Sequence, residues 1–133
     1  MKMFMPIFIL PDYTFINLQY GNTKEEIKNI YKTSNIKIIN IEEVDLFNDF
    51  EAISSLLKNL DLFISVSNTT AHVAGALGVP TWLIKPKNHA VFHYWNQPEN
   101  STPWYPSIKL LSYKKNWDET VEAIKKNLIK KII

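Results

Sequence analysis

The sequence predicts an α/β chain, a three-layer α/β/α fold with a mainly parallel sheet of about five strands. Two observations carry this expectation. Short apolar runs alternate along the chain with amphipathic segments at helical spacing. The runs 62–66 (LFISV) and 81–84 (TWLI) are almost continuously apolar, the pattern of strands covered on both faces.

The elements follow in order. Residues 15–20 (FINLQY) form a compact apolar run, read as a strand that ends at Gly21. Thr23 and Glu26 make a capping box: the Thr23 hydroxyl can accept from the Glu26 amide while Glu26 reaches back. Ile27, Ile30 and Tyr31 continue at helical spacing, and Asn35 is the expected stop. Residues 36–41 (IKIINI) are β-branched and strand-like. Residues 48–51 (NDFE) repeat the capping-box logic, and Ile53, Leu56, Leu57 and Leu60 then mark one helix face. After the strand at 62–66, a short helix is expected from about Thr69 to Leu77, with Gly78 at its left-handed end and Pro80 beyond. The strand at 81–84 leads into a long irregular stretch, 85–107, that holds four of the seven prolines and a cluster of aromatics. Residues 108–112 are a last strand. Asp118 is expected to cap a final helix with Val121, Ile124 and Leu128 inside and lysines near its carboxyl end.

Composition narrows the function. With 133 residues, 46% hydrophobic and 21% charged, this is an ordinary globular chain, expected to be one domain over residues 1–133. A chain of this length buries roughly two-thirds of its unfolded surface. There is no cysteine, which excludes a disulfide framework, a thiol nucleophile and a thiolate metal site. Net charge is only +2 and every basic residue is Lys, so nucleic-acid binding is disfavoured for want of the planar guanidinium fork. The apolar start, residues 1–10, is short, interrupted by Pro6 and lacks a small-residue cleavage site. No run reaches the ~20 apolar residues of a membrane span. The expectation is a cytoplasmic protein with no membrane span.

The most informative segment is 65–78 (SVSNTTAHVAGALG), a strand turning directly into a helix. One oxygen-bearing side chain suffices to cap a helix. Here Ser67, Asn68, Thr69 and Thr70 crowd the turn, which leaves hydroxyls and first-turn amides for an anion. His72 lies four residues after Asn68 on the same helix face and can donate to a phosphate oxygen. Gly75 lets the helix lie close on the sheet. The plain alternative is that Asn68 only caps and His72 is a packed or surface ring; no Gly-rich phosphate loop is present.

Gly21 closes the first strand at the same sheet edge, where Gln19, Tyr20, Asn22 and Glu25 can line the crevice. A carboxylate there can accept from ribose hydroxyls. Equally, Glu25 and Glu26 can serve only the helix dipole. In the long loop, aromatics can stack on a base or a sugar, or fold back as a satellite core, the reading preferred for Trp104 and Tyr105. His89 and His93 lack a carboxylate partner, so no metal site is expected. No cofactor and no catalytic acid/base pair can be assigned: Asp45, Asp49 and Asp61 are explained by capping or loop positions.

Three motifs, 15–21 (FINLQYG), 61–82 (DLFISVSNTTAHVAGALGVPTW) and 101–107 (STPWYPS), occur in order, and the chain resembles the C-terminal, Rossmann-like half of GT-B glycosyltransferases. The closest subgroup is heptosyltransferase-like, of the kind found behind tetratricopeptide repeats. The resemblance implies a nucleotide-diphosphate-sugar site. The donor diphosphate falls on Ser67, Asn68, Thr69, Thr70 and His72, and the nucleoside on Gln19, Tyr20, Gly21 and Glu25. Three departures stand against the pattern: Ser67 replaces a common Asp, His93-Tyr94-Trp95 replaces Trp-Arg-Trp, and the N-terminal half that carries the catalytic base is absent. The family also has a central strand ahead of the segment matching residues 1–10. The chain is therefore expected to be oligomeric or to work with a separately encoded half or repeat-protein partner. The leading function is donor-sugar-nucleotide binding; a degenerate interaction domain and a stand-alone transferase are the competitors.

Overall fold

A computed structural model describes residues 1–85, 94–95 and 100–132. In chain order the elements are a single 3-10 turn at Lys2–Phe4, then α1 (Met5–Phe8), β1 (Phe15–Asn17), α2 (Lys24–Ser34), β2 (Ile38–Asn40), α3 (Phe50–Lys58), β3 (Phe63–Val66), α4 (Thr69–Ala76), β4 (Thr81–Lys85), β5 (Ile108–Ser112) and α5 (Trp117–Ile132). The fold class is the expected one, α/β and Rossmann-like. Hydrogen bonding sorts the five strands into a two-stranded sheet, β1-β2, and a three-stranded sheet, β3-β4-β5. Every pairing between these strands is parallel.

Two compact units make up the chain: Met1–Asn48 with Lys114–Ile133, and Asp49–Tyr113. In the first, β1 pairs with β2 with Phe15 opposite Ile38 and Asn17 opposite Asn40. Its buried apolar residues are Ile7, Ile30, Ile38, Val121, Ile124 and Leu128. The Tyr13 hydroxyl donates to the Leu128 carbonyl of α5 at 2.9 Å. Both strands are shorter than their apolar runs. β1 stops at Asn17 because that side chain turns back: its Oδ1 accepts the Gln19 amide at 3.2 Å, a local bond that competes with the ladder.

The capping signals were partly misplaced. Thr23 precedes α2, but its hydroxyl makes no cap bond and instead accepts from Asn17 Nδ2 at 3.0 Å. Glu26 binds the Met1 amine and the Lys2 amide rather than reaching back to Thr23. Asn35 does end α2, in the left-handed region at φ 57°. Asn116, not Asp118, opens α5: its Oδ1 accepts the Glu119 amide at 2.8 Å and its carbonyl takes the Thr120 hydroxyl at 2.7 Å.

The second unit is built on β3-β4-β5, with Phe63 opposite Thr81 and Thr81 opposite Ile108. Asp49 caps α3 through the Ala52 amide at 2.9 Å, one residue later than the 48–51 box implied. Ile53 and Leu57 of α3 are buried, as are Leu83 and Ile84 of the central strand β4 and Ile108 and Leu110 of its neighbour β5. Full burial of each such side chain stabilises by about 1.5–3 kcal/mol. α4 buries only small residues, Ala71, Ala74 and Gly75. Its end is a Schellman arrangement: Val79 N donates to Ala74 O and Gly78 N to Gly75 O, with Gly78 at φ +71°.

Candidate functional site

The chemistry-bearing residues of the second unit gather at the turn from β3 into α4. β3 ends at Val66 and α4 begins at Thr69, so the turn is Ser67-Asn68 alone. Asn68 is in extended conformation, φ −158° and ψ 175°, the backbone of an N-cap. Its Oδ1 accepts the Ala71 amide at 2.9 Å and its Nδ2 donates to Ser65 Oγ at 3.1 Å. One of the orphan donors of the helix is thereby taken. The amides of Thr69 and Thr70 have no hydrogen-bond partner among the described residues. Thr69 is exposed and Thr70 half-buried. With the helix dipole positive at this end, two open N–H groups flanked by two hydroxyls can hold an anionic oxygen.

His72 is half-buried and ringed by aromatics. Its ring lies 4.9 Å from Tyr94, edge-on, 4.9 Å from Trp95 and 5.6 Å from Tyr105, centroid to centroid. His72 Nδ1 and the Tyr105 hydroxyl are 3.0 Å apart. Burial pushes the imidazole below its ordinary value, so the ring is neutral at neutral pH. Trp95 is fully buried and donates from Nε1 to Ser67 Oγ at 3.0 Å. The Ser67 hydroxyl is thus used as an acceptor, and its own hydrogen is left to donate.

Reading the sequence missed these aromatic partners. The preferred satellite-core role fails for Trp104, whose relative exposure is 58%. Tyr105 does fold back, but against the site histidine. Gly75 is close-packed for a related reason: a Cβ there would stand 2.5 Å from Tyr105 Cγ and 2.9 Å from Ile108 Cδ1, so the glycine admits the tyrosine ring as well as the sheet. The available signal was the aromatic content of the long loop, which by itself names no partner.

The nucleoside-side candidates Gln19, Tyr20, Gly21 and Glu25 all lie in the first unit and all are exposed. Gly21 has φ +99°, which favours glycine, and its carbonyl accepts the Thr23 amide at 3.1 Å. Tyr20 meets Phe47 edge-on at 5.8 Å, and the two are 54% and 68% exposed. Glu25 sits in the first turn of α2. Beneath them Asn17, buried, donates from Nδ2 to both Thr23 Oγ1 and Asn40 Oδ1. His89 and His93 lie outside the described residues. Among the described residues no group of three His, Cys, Asp or Glu could hold a metal ion, and no helix is long and apolar enough to cross a membrane.

Together these features define a parallel α/β chain with a polar strand-to-helix turn backed by a buried tryptophan. The chain is similar to protein FlbA of Caulobacter vibrioides, 32% identical over 105 residues. That match covers 78% of this chain but only 17% of FlbA, so the chain spans a small part of the curated relative's length. No family model and no solved structure matches it.

Proposed function

We propose that the chain is a nucleotide-diphosphate-sugar-binding module of a GT-B glycosyltransferase. The diphosphate would sit on the Ser67–Thr70 turn with His72 beside it. The observation that carries the reading is the pair of amides at Thr69 and Thr70 with no partner among the described residues, next to hydroxyls and a neutral histidine. Backbone donors of this kind bind phosphate without a cation, which suits a chain with no arginine. Turnover would need a catalytic base from outside these residues, whether from another part of the same protein, another copy or a partner such as a repeat protein, because none of the described residues is given that role. The module would work in the cytoplasm.

A second reading, a degenerate interaction domain that retains the fold, is favoured by the rings around His72, which would hold the imidazole in place with or without a ligand. Calorimetric titration with UDP-, GDP-, ADP- and CMP-sugars separates the two. Micromolar binding of one donor, weakened by about 1–3 kcal/mol in His72→Ala, supports the module. Millimolar or no binding across the panel supports the interaction domain.

A further inference from the structure

The hydrogen bond between Tyr105 and His72 spans 33 residues of sequence and joins the site to the segment leading into β5. Its direction follows from acid–base strength. A neutral imidazole nitrogen is a fair base, with a conjugate acid near pKa ~6.5, whereas a phenol oxygen is a very weak one and its O–H a good donor. O–H···N is therefore favoured over N–H···O. With Nδ1 accepting, the single proton of the neutral ring must be on Nε2, which has no hydrogen-bond partner among the described residues.

We propose that Tyr105 is a positioning residue for the diphosphate site: its hydroxyl donates to His72 Nδ1 and leaves Nε2–H as the nitrogen that donates to a phosphate oxygen. The inference rests on the reading above as to what the site binds, but not as to the bond itself. Three features fix the tyrosine. Its carbonyl accepts the Ile108 amide at 2.9 Å, which anchors the backbone at the start of β5. Its ring occupies the space that a side chain on residue 75 would fill. Trp95, 5.9 Å away and fully buried, backs the same ring pair. A rotating histidine would present either nitrogen to a ligand; this one is held by the first and offers the second. The ligand class, a pyrophosphate-bearing molecule, is that of the reading above; Nε2–H adds one neutral donor to the open amides of Thr69 and Thr70.

The test uses the full chain with 15N-labelled histidine, in the wild type and in Tyr105→Phe, with His72→Asn to assign the signals. At pH 8, wild-type His72 should show an unprotonated, hydrogen-bonded Nδ1 and a protonated Nε2. In Tyr105→Phe the Nδ1 signal should move toward that of a free imidazole. A protonated Nδ1 in the wild type, or a His72 signal unmoved by Tyr105→Phe, overturns the proposal whatever the chain binds. Calorimetry with UDP, ADP and inorganic pyrophosphate forms the second arm. Tyr105→Phe should weaken the tightest of these by about tenfold, and should have no further effect in the His72→Ala background, the coupling expected of a residue that acts through another. If the wild type binds one of the probes and Tyr105→Phe binds it equally well, the positioning role fails while the binding site stands. If none binds and the nitrogen signals are as expected, the hydrogen bond stands and the binding reading fails.

Discussion

Replacing Gly75 by alanine tests the packing on which the histidine depends. On an isolated helix the substitution would stabilise by about 1 kcal/mol, because glycine is the costlier residue in a helix interior. Here the new Cβ would stand 2.5 Å from Tyr105 Cγ, 2.7 Å from its Cδ1 and 2.9 Å from Ile108 Cδ1. Ordinary carbon contacts lie near 3.5–4.0 Å, so the ring must retreat by about 1 Å. The isoleucine methyl can rotate aside; a tyrosine ring anchored through its backbone cannot do so cheaply. A retreat of that size carries the hydroxyl from 3.0 Å to beyond hydrogen-bond range of His72 Nδ1. Overpacking costs about 1–3 kcal/mol and the lost bond about 1 kcal/mol more, which outweighs the helix gain. The expected net loss is about 1–3 kcal/mol. Urea unfolding, with a slope of about 2 kcal/mol per molar, should register it as a midpoint lowered by roughly 0.5–1.5 M at unchanged slope. In a Tyr105→Ala background the same Gly75→Ala change should become neutral or stabilising. A raised midpoint in the otherwise wild-type chain, with His72 signals unmoved, would refute the close approach of Tyr105 to α4.

Three other outcomes follow from single features. Asn68→Ala removes the cap on Ala71 and should cost about 1 kcal/mol in urea unfolding, whereas Asn68→Asp keeps an acceptor there, holds most of that stability, and weakens binding of UDP or pyrophosphate by placing a carboxylate beside the phosphates. Because burial lowers the folded pKa of His72 below 6.5, the unfolded chain takes up its proton first as pH falls. The contribution of His72 is fully present above about pH 6.5 and is lost as pH falls from there toward the folded value, a slope that His72→Gln should remove from a stability–pH series. Gly78→Ala meets no atom within 4 Å but keeps φ at +71°, so it should cost about 1 kcal/mol through the backbone alone, with binding unchanged.

Local signals were the legible ones. Asn68 as a cap, Asn35 and Gly78 as left-handed stops, and the buried faces of α3 and α5 are each decided within a few residues, where spacing and backbone preference are visible. Capping failed where several candidates stood side by side. Asn116 and Asp118 both can cap, and Thr120, whose hydroxyl bonds the Asn116 carbonyl and accepts the Lys114 amide, favours the earlier one. Thr23 was claimed by Asn17, a competitor six residues upstream. The turn that starts α4 was readable as polar; its partners were not. Ser67 with Trp95, and His72 with Tyr105, are 28 and 33 residues apart, and nothing in composition or periodicity pairs residues at that distance.

β1 and β2 hold only three residues each, too few for alternating apolar positions to fix how they align. The task falls to a polar contact: Asn17 and Asn40 stand directly opposite and share an amide–amide bond of 2.8 Å, while Asn17 also holds Thr23. Sliding one strand by a single residue would strand a buried amide against an isoleucine and release the start of α2 together with it. The alignment of this short ribbon is thus enforced by the penalty for misfit, and the exposed loop that carries Gln19 and Tyr20 is aimed by the same asparagine.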